Sequence, residues 1–264
     1  MHPMLSLRDA VPNGSDQNHS TAINDAPSAS VILADTRLTL GTAMSQEPTG
    51  KIILLQPADA SAKTTDVVEG IIADIMEDGE VSVVGLNDSL FLACSAINMA
   101  TEIAKVYVDD IDIASLEVPT LGKVSAVSAH LSQKQAGDYS ALAQQEDKRL
   151  SDVAEQTISV SRAATIERLL TISLLRLAKF DEVKIVAAGG SINDAIALAL
   201  KLTNGQISKD PVGIKLFHLY SIIMRNDPTK SIAAVSIYLQ KGVTTRYTKR
   251  QSAVLKEVAA TKPA

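Results

Sequence analysis

The segment with the most distinctive chemistry is a short polar stretch near the end of the chain, Arg225-Asn-Asp-Pro-Thr-Lys230. It separates two β-branched, apolar runs, so it predicts the turn of a β-hairpin with a cation at each end. A two-stranded ribbon with cations at its tip can follow a groove of a nucleic acid and contact its phosphates. The alternative is an ordinary polar turn whose charges are solvated.

More cations lie around this turn and beyond residue 241, where carboxylates are scarce. A flexible basic segment binds phosphate by releasing counterions, without reading the base sequence, although a merely soluble tail has the same composition. The turn, the neighbouring strands and this tail give the predicted phosphate-binding set: Lys215, Arg225, Lys230, Lys241, Arg246, Lys249 and Arg250.

A minor candidate is the turn Ala188-Gly-Gly-Ser191, which joins a predicted strand to a predicted helix. Backbone N–H groups at the start of a helix can hold an anion, so Gly189, Gly190 and Ser191 form a possible anion loop. The turn has neither the GxGxxG spacing nor a P-loop lysine, so it does not predict a nucleotide site. The alternative is a tight turn that lets the helix approach the sheet.

Residues suited to catalysis or metal binding are few. Asp110 and Asp112 share one face of a predicted strand, next to Asp109, but no His or Glu stands nearby in the sequence to complete a metal or acid–base site. We therefore interpret the three aspartates as a solvated strand edge and Cys94 as a core residue. The sequence has no Ser/His/Asp constellation and no metal-spaced Cys/His group, so we expect no enzymatic activity, no metal site and no cofactor.

The composition favours an ordered, soluble chain. Hydrophobic residues make up 46% of the 264 residues, yet no apolar stretch approaches the roughly 18 residues of a membrane span. The first ten residues lack the apolar core of a signal peptide, and the single cysteine excludes an internal disulfide. These features predict a cytoplasmic protein without a membrane partner.

Charge is distributed unevenly along the chain. Residues 1–120 contain 18 acids and 5 bases, whereas residues 212–264 contain 2 acids and 9 bases. An acidic front and a basic back indicate either a polyanion partner for the back or two lobes that attract each other.

Five segments follow from the pattern of polar and apolar residues. Residues 1–49 lack the apolar surface that would offset the entropy of ordering, so they predict a disordered arm. We expect a first α+β repeat over 50–134, a helical connector over 135–164, a second repeat over 165–241 and a basic flexible tail over 242–264. Within the repeats, apolar spacing predicts helices over Asp66–Glu77, Ser89–Ile103, Thr165–Lys179 and Ser191–Leu202.

The two repeats are visible as matching strands. Glu80-Val-Ser-Val-Val84 matches Glu182-Val-Lys-Ile-Val186 at an offset of 102 residues, and Val127–Leu131 matches Val235–Leu239 at an offset of 108. The six extra residues are expected within residues 203–212. We predict an α+β fold made of two tandem copies of a helix-strand-helix-strand-strand unit, forming an intramolecular pseudo-dimer. His130 and Tyr238 occupy matching positions and are expected to pack on equivalent strands.

Each repeat resembles the Alba family of DNA- and RNA-binding domains. The strand–glycine–helix openings at 83–93 and 185–195 carry the resemblance, together with Ala104-Lys-Val-Tyr-Val108 and the closing strands 124–131 and 231–239. The similarity covers about residues 80–132 and 182–241. It implies a small α+β fold and non-enzymatic, sequence-independent contacts with nucleic acid.

Neither half has a lysine in the loop that the resemblance places after its first strand, so the expected phosphate contacts come from the second repeat and the tail. The acidic first repeat is then a pseudo-dimer partner or a protein interface. The alternative is a structural, self-assembling or protein-binding protein whose acidic and basic lobes join neighbouring molecules.

Overall fold

The computed structural model describes residues 50–134, 139–151, 153–205, 210–224 and 226–260. These residues form two four-stranded sheets and six α-helices, which confirms the predicted α+β class with two tandem units. The strands are β1 (Lys51–Leu55), β2 (Glu80–Leu86), β3 (Tyr107–Val118), β4 (Gly122–Ser132), β5 (Thr157–Ser159), β6 (Glu182–Ala188), β7 (Val212–Met224) and β8 (Asp227–Lys241). The helices are α1 (Thr64–Asp78), α2 (Leu90–Ala104), α3 (Tyr139–Ser151), α4 (Ile166–Phe180), α5 (Ile192–Thr203) and α6 (Lys249–Ala260).

Both sheets have the same topology. The first has the strand order β1-β2-β4-β3 and the second β5-β6-β8-β7. In each, the first two strands are parallel and the other neighbours are antiparallel. A parallel pair needs a crossover, which α1 provides in the first half and α4 in the second, while β3–β4 and β7–β8 are hairpins.

Each half therefore begins with one strand more than the predicted repeat unit. The strand β5 lies inside the predicted helical connector, and its three residues pair with β6 from Thr157–Lys184 to Ser159–Val186. Three residues are too few to produce a recognisable alternation of polar and apolar side chains. The strand is defined by its partner, which lies far along the chain.

A shared irregularity supports the duplication. The ladder of β3 with β4 skips Asp109, and the ladder of β7 with β8 skips Lys215, so each long hairpin has a bulge at the same place. Beyond the bulges, Asp110 pairs with His130 and Leu216 pairs with Tyr238. Equivalent residues of the edge strands β3 and β7 are therefore 106 residues apart. Four of the six extra residues therefore precede β7, and the other two lie in the second hairpin. The prediction that all six lie within residues 203–212 was wrong for these two.

One hydrophobic core joins the two halves. Helices α1 and α2 cover the inner face of the first sheet, α4 and α5 cover that of the second, and α2 meets α5 between them. The side chain of Asn193 accepts a hydrogen bond from the backbone of Phe91 (2.9 Å) and donates one to the carbonyl of Asp88 (3.4 Å). Because core side chains of both repeats belong to the same cluster, the halves form an intramolecular pseudo-dimer.

The helix that follows each repeat packs on the outer face of the other repeat. After the second repeat, α6 places Val254, Leu255 and Val258 against the outer face of the first sheet. After the first repeat, α3 lies on the second sheet, where Asp147 accepts a hydrogen bond from Lys184 Nζ (2.5 Å) and another from the hydroxyl of Tyr238. The exchange of terminal helices ties the two repeats together.

The predicted flexible tail is thus a packed helix over most of its described length. Val254, Leu255 and Val258 form one buried stripe, and each contributes about 1.5–3 kcal/mol of hydrophobic stabilisation at most. The backbone N–H of Gln251 donates to Thr248 Oγ1 (3.1 Å), and that of Thr248 donates to Gln251 Oε1 (2.8 Å), a capping box that starts the helix. The cations around the stripe hide this short apolar pattern in the sequence.

Candidate nucleic-acid interface

The tip of the β7–β8 hairpin is exposed on both strands. Ile223 has 70% of its surface exposed, and the side chain of Lys230 likewise has 70%. Among the described residues the ion-pair partner of Lys230 is Asp227, at 2.9 Å, and hydrogen bonds from Thr229 followed by the bond from Lys230 lower the pKa of that carboxyl. An exposed pair of this kind adds little stability, so the ammonium can exchange to a phosphate at low cost. Arg225 lies outside the described residues.

Two other lysines of the predicted set are engaged in ion pairs. Lys215 Nζ lies 2.9 Å from Glu146 and 3.3 Å from Glu182, and Arg149 lies 2.7 Å from each of the same two glutamates. This network of two cations and two carboxylates fastens α3 to the second sheet. Lys241 is held by Asp210 (3.2 Å) and Asp181 (3.5 Å).

The cations around α6 are divided between two roles. Arg250 Nη2 lies 3.4 Å from Glu80 Oε2, and Thr248 Oγ1 donates to Asp110 Oδ2 (3.2 Å), so this end of α6 is bonded to the acidic outer face of the first sheet. Arg246 and Lys249 are exposed and have no ion-pair partner among the described residues. The predicted set therefore does not form one continuous surface.

The predicted anion loop gains a neighbour that the sequence did not indicate. Gly189 has φ +58°, and a methyl group at Gly190 would overlap the guanidinium of Arg162, which lies over the turn. Arg162 comes from the connection between β5 and α4; it is exposed and has no carboxylate partner within the described ranges. The sequence analysis did not indicate its position beside the turn because β5 was not predicted, so the loop after β5 was not recognised.

This cation lies at the same end of the second sheet as Lys230. The side chain of Ile232, two residues after Lys230, reaches so close to Gly189 that a methyl group there would be 2.7 Å from Ile232 Cδ1. The glycine turn therefore contacts the hairpin strand that carries Lys230. Lys230, Ile232, the turn and Arg162 follow one another along this edge of the molecule.

The aspartates of β3 are not a solvated edge. Asp110 and Asp112 do share one face, as predicted, but both are half-buried beneath the start of α6. Burial raises the pKa of Asp110, and it raises that of Asp112 to about 7 although the backbone N–H of Ile113 bonds to the carboxylate. The strand edge is covered because the segment leading into α6 crosses it, which the sequence of β3 does not reveal.

His130 lies beside these aspartates and is only 2% exposed. Its Nε2 is 3.3 Å from Glu80 Oε2, and burial, followed by the charge of Arg250, lowers the pKa of its ring. Its counterpart Tyr238 is equally buried on the matching strand, which confirms the predicted equivalence. In the part of the chain that the structure describes, no group of three His, Cys, Asp or Glu residues has metal-binding geometry.

Cys94 is fully buried within α2, as predicted, and burial raises the pKa of its thiol to about 12. A thiol of this kind stays protonated at neutral pH and serves packing. Within the described ranges, no helix combines the length and apolar composition needed to cross a membrane.

The fold and its surface define a tandem-duplicated α+β protein whose second hairpin has an exposed tip. No protein-family model matches this chain, and no curated protein matches it. Among solved structures, it is similar to the crystal structure of ALBA1 from Trypanosoma brucei, at 21% sequence identity over 34% of this chain and 72% of that chain, with a TM-score of 0.29. The Alba-like resemblance is therefore distant.

Proposed function

We propose that this protein binds nucleic acid without catalysing a reaction, through phosphate contacts from the open end of its second repeat. The observation that carries the proposal is the arrangement of Lys230 and Arg162 along one edge, joined by the contact between Ile232 and the Gly189 turn. Two cations at the same edge, one weakly paired and one without a carboxylate partner among the described residues, suit the repeated charges of a phosphate backbone.

The first repeat serves as a structural partner in this proposal. Its outer face receives α6, and Glu80 is bonded to Arg250 there. Lys215 and Lys241 are similarly occupied by carboxylates of the connector and of the second half. The proposed phosphate-binding residues are therefore Lys230 and Arg162, and not the whole basic end of the chain. Arg246 and Lys249 are further exposed cations near α6.

Fluorescence anisotropy with a labelled oligonucleotide at low salt tests the proposal. We expect Lys230→Gln and Arg162→Gln each to weaken binding several-fold and to lower the slope of log affinity against log salt by about one. Lys123→Gln is the matched control, because Lys123 is an exposed lysine of the first repeat's hairpin and should not contribute. The proposal fails if the full chain does not bind at micromolar protein, or if the control weakens binding as much as the two test variants.

Self-assembly is the second candidate function, and the exposed apolar tip at Ile223 and Met224 favours it. Since acidic and basic surfaces are already joined within the chain through Arg250 and Glu80, assembly would use the apolar tip. Light scattering across a salt series distinguishes the candidates. Association that persists in high salt, needs no nucleic acid and disappears in Ile223→Ser supports assembly, whereas a monodisperse chain at every salt concentration excludes it.

A further inference from the structure

The outer faces of the two sheets are built from equivalent positions but are covered differently. On the first sheet, the end nearest the hairpin consists of aliphatic side chains beneath α6, among them Val84, Leu86 and Val124, each at most 1% exposed. The equivalent positions on the second sheet, given by the offsets and the strand register, are Val186, Ala188 and Ile232. All three of these side chains are half-buried.

No described helix covers this end of the second sheet. The helix equivalent to α6 is α3. Its Tyr139 bonds to Phe217 and Leu219 in the middle of β7, and its Asp147 reaches Lys184 and Tyr238, towards the opposite end of the strands. Ile222, on the neighbouring edge strand, retains 39% of its surface exposed. Within the described ranges, this part of the second sheet is therefore an open face, not covered by a helix and bordered by the hairpin tip and the Gly189 turn. Its centre, at Ala234 and Ser236, is buried, and its rim is partly exposed.

Tyr220 places an aromatic ring on the open face, and its neighbour His218 packs edge-on against Tyr139 of α3, with ring centroids 6.4 Å apart. Tyr220 and His218 alternate along β7 on its outer side, with ring centroids 5.0 Å apart and planes inclined by 34°. Ser236 Oγ is 3.4 Å from the hydroxyl of Tyr220, and His218 Nδ1 is buried without a hydrogen-bond partner among the described atoms. Burial lowers the pKa of His218, although the charge of Asp147 opposes this, so the ring is neutral at pH 7.

Tyr220 also limits which ligands can bind the open face. Its counterpart on the first sheet is Ala114, which lies in the apolar cluster that packs with α6. A tyrosine ring at this position occupies the space that α6 uses on the first sheet. The face is therefore poorly shaped for a helix docked as α6 is, and well shaped for a flat ligand that stacks on a ring.

We propose that the open face of the second sheet binds the unpaired bases of a single-stranded nucleic acid, with a base stacked on Tyr220. This inference rests on the proposed function, because Lys230 and Arg162 at the border of the face hold the phosphates of the same strand. Aromatic side chains on a sheet accept bases whose faces are unstacked, and a duplex keeps those faces covered. The site therefore favours single strands over duplexes.

The test compares a labelled 12-nucleotide oligodeoxythymidine with a duplex of equal length, using the full chain. Tyr220→Ala should weaken binding of the single strand by about fivefold or more and leave duplex binding unchanged, while Tyr220→Phe keeps single-strand affinity within about twofold. Tyr107→Ala is the matched control, since Tyr107 is 42% exposed on the first repeat.

Tyrosine emission gives a second readout that does not depend on a damaging substitution. The chain has five tyrosines and no tryptophan, so quenching by the oligonucleotide reports stacking directly. We expect the single strand to quench the wild type, and Tyr220→Phe to bind with most of that quenching lost.

The outcomes separate this inference from the proposed function. If the wild type binds neither oligonucleotide, the proposed function fails and the inference fails with it. If binding is normal but Tyr220→Ala keeps its single-strand affinity, or Tyr220→Phe is quenched as strongly as the wild type, the stacking site is overturned while phosphate binding stands. If the open face binds an amphipathic peptide and the oligonucleotide does not displace that peptide, the stacking site is also overturned.

Discussion

Tyr139 and Tyr247 each bond to the edge strand of the opposite half of the molecule. The hydroxyl of Tyr139 donates to the carbonyl of Phe217 (2.8 Å), and that of Tyr247 donates to the carbonyl of Ile113 (3.1 Å). Each tyrosine follows one repeat and bonds to the edge strand of the other, at the offset of 108 residues found for the closing strands. The duplication therefore extends through the terminal helices, and these helices fasten the pseudo-dimer.

The tyrosine hydroxyls should contribute unequally to stability. Tyr139 also accepts a hydrogen bond from the backbone N–H of Leu219 (3.0 Å), so Tyr139→Phe leaves two backbone groups without a partner. We expect it to lower the free energy of unfolding by about 1–3 kcal/mol, and Tyr247→Phe by about 1 kcal/mol. Urea unfolding measures both. A smaller loss for Tyr139→Phe than for Tyr247→Phe contradicts the exchanged-helix arrangement.

The packing of α6 predicts that an apolar residue near the end of the chain is structurally important. Val258→Ser should lower the free energy of unfolding by about 1–3 kcal/mol, because Val258 is 2% exposed against the first sheet. Lys256→Ser, on the exposed side of the same helix, should change stability by less than about 0.5 kcal/mol. If both substitutions leave the free energy of unfolding almost unchanged, α6 does not stay packed on the first sheet.

The half-buried carboxyl of Asp112 makes stability depend on pH. Its pKa of about 7 lies above the value of an unfolded aspartate, so the folded state binds the extra proton and stability falls as pH rises from 4 through 7. Asp112→Asn removes this loss and keeps an oxygen for the N–H of Ile113. Relative to wild type, the variant should gain on the order of 2 kcal/mol at pH 8 and less at pH 4.

Thermal or urea unfolding at the two pH values measures the difference for Asp112→Asn. Glu69→Gln, at an exposed position of α1, is the control and should track the wild type. Because His130 is buried with a lowered pKa, it opposes the trend in the wild type, so the comparison between variants is the informative quantity. A gain for Asp112→Asn that is as large at pH 4 as at pH 8 contradicts the assignment.

The two glycines of the turn before α5 should separate binding from stability. Gly190→Ala displaces only the flexible guanidinium of Arg162, so it should leave stability almost unchanged and weaken oligonucleotide binding to the level of Arg162→Gln. Gly189→Ala places a side chain at φ +58° and against Ile232, which should cost about 1–2 kcal/mol. Equal binding by Gly190→Ala and wild type would remove Arg162 from the interface.

The elements with a strong local period were predictable from the sequence. The apolar residues of Asp66–Glu77 and Thr165–Lys179 recur every three or four positions, and these segments form α1 and α4 with small shifts of their ends. The strands matched at Glu80 and Glu182 form β2 and β6. Local periodicity is a property of neighbouring residues, so it is readable before the fold is known.

The parts that the sequence did not reveal are set by distant partners. The strand β5 exists because β6 pairs with it, and α6 is packed because the first sheet presents an apolar face to Val254. The predicted phosphate-binding set includes ion-paired cations for the same reason. Charge counting finds Lys215 and Arg250, but only the fold reveals that Glu182 and Glu80 lie next to them.

Mapping the positions where a photoreactive single-stranded oligonucleotide cross-links to the full chain tests the central claim most directly. Binding at the open end of the second repeat predicts cross-links within residues 157–162, 186–192 and 218–234, with Tyr220 among them, and their loss in high salt. Cross-links confined to the first repeat or to α6, or none at concentrations that saturate a control nucleic-acid-binding protein, would contradict it.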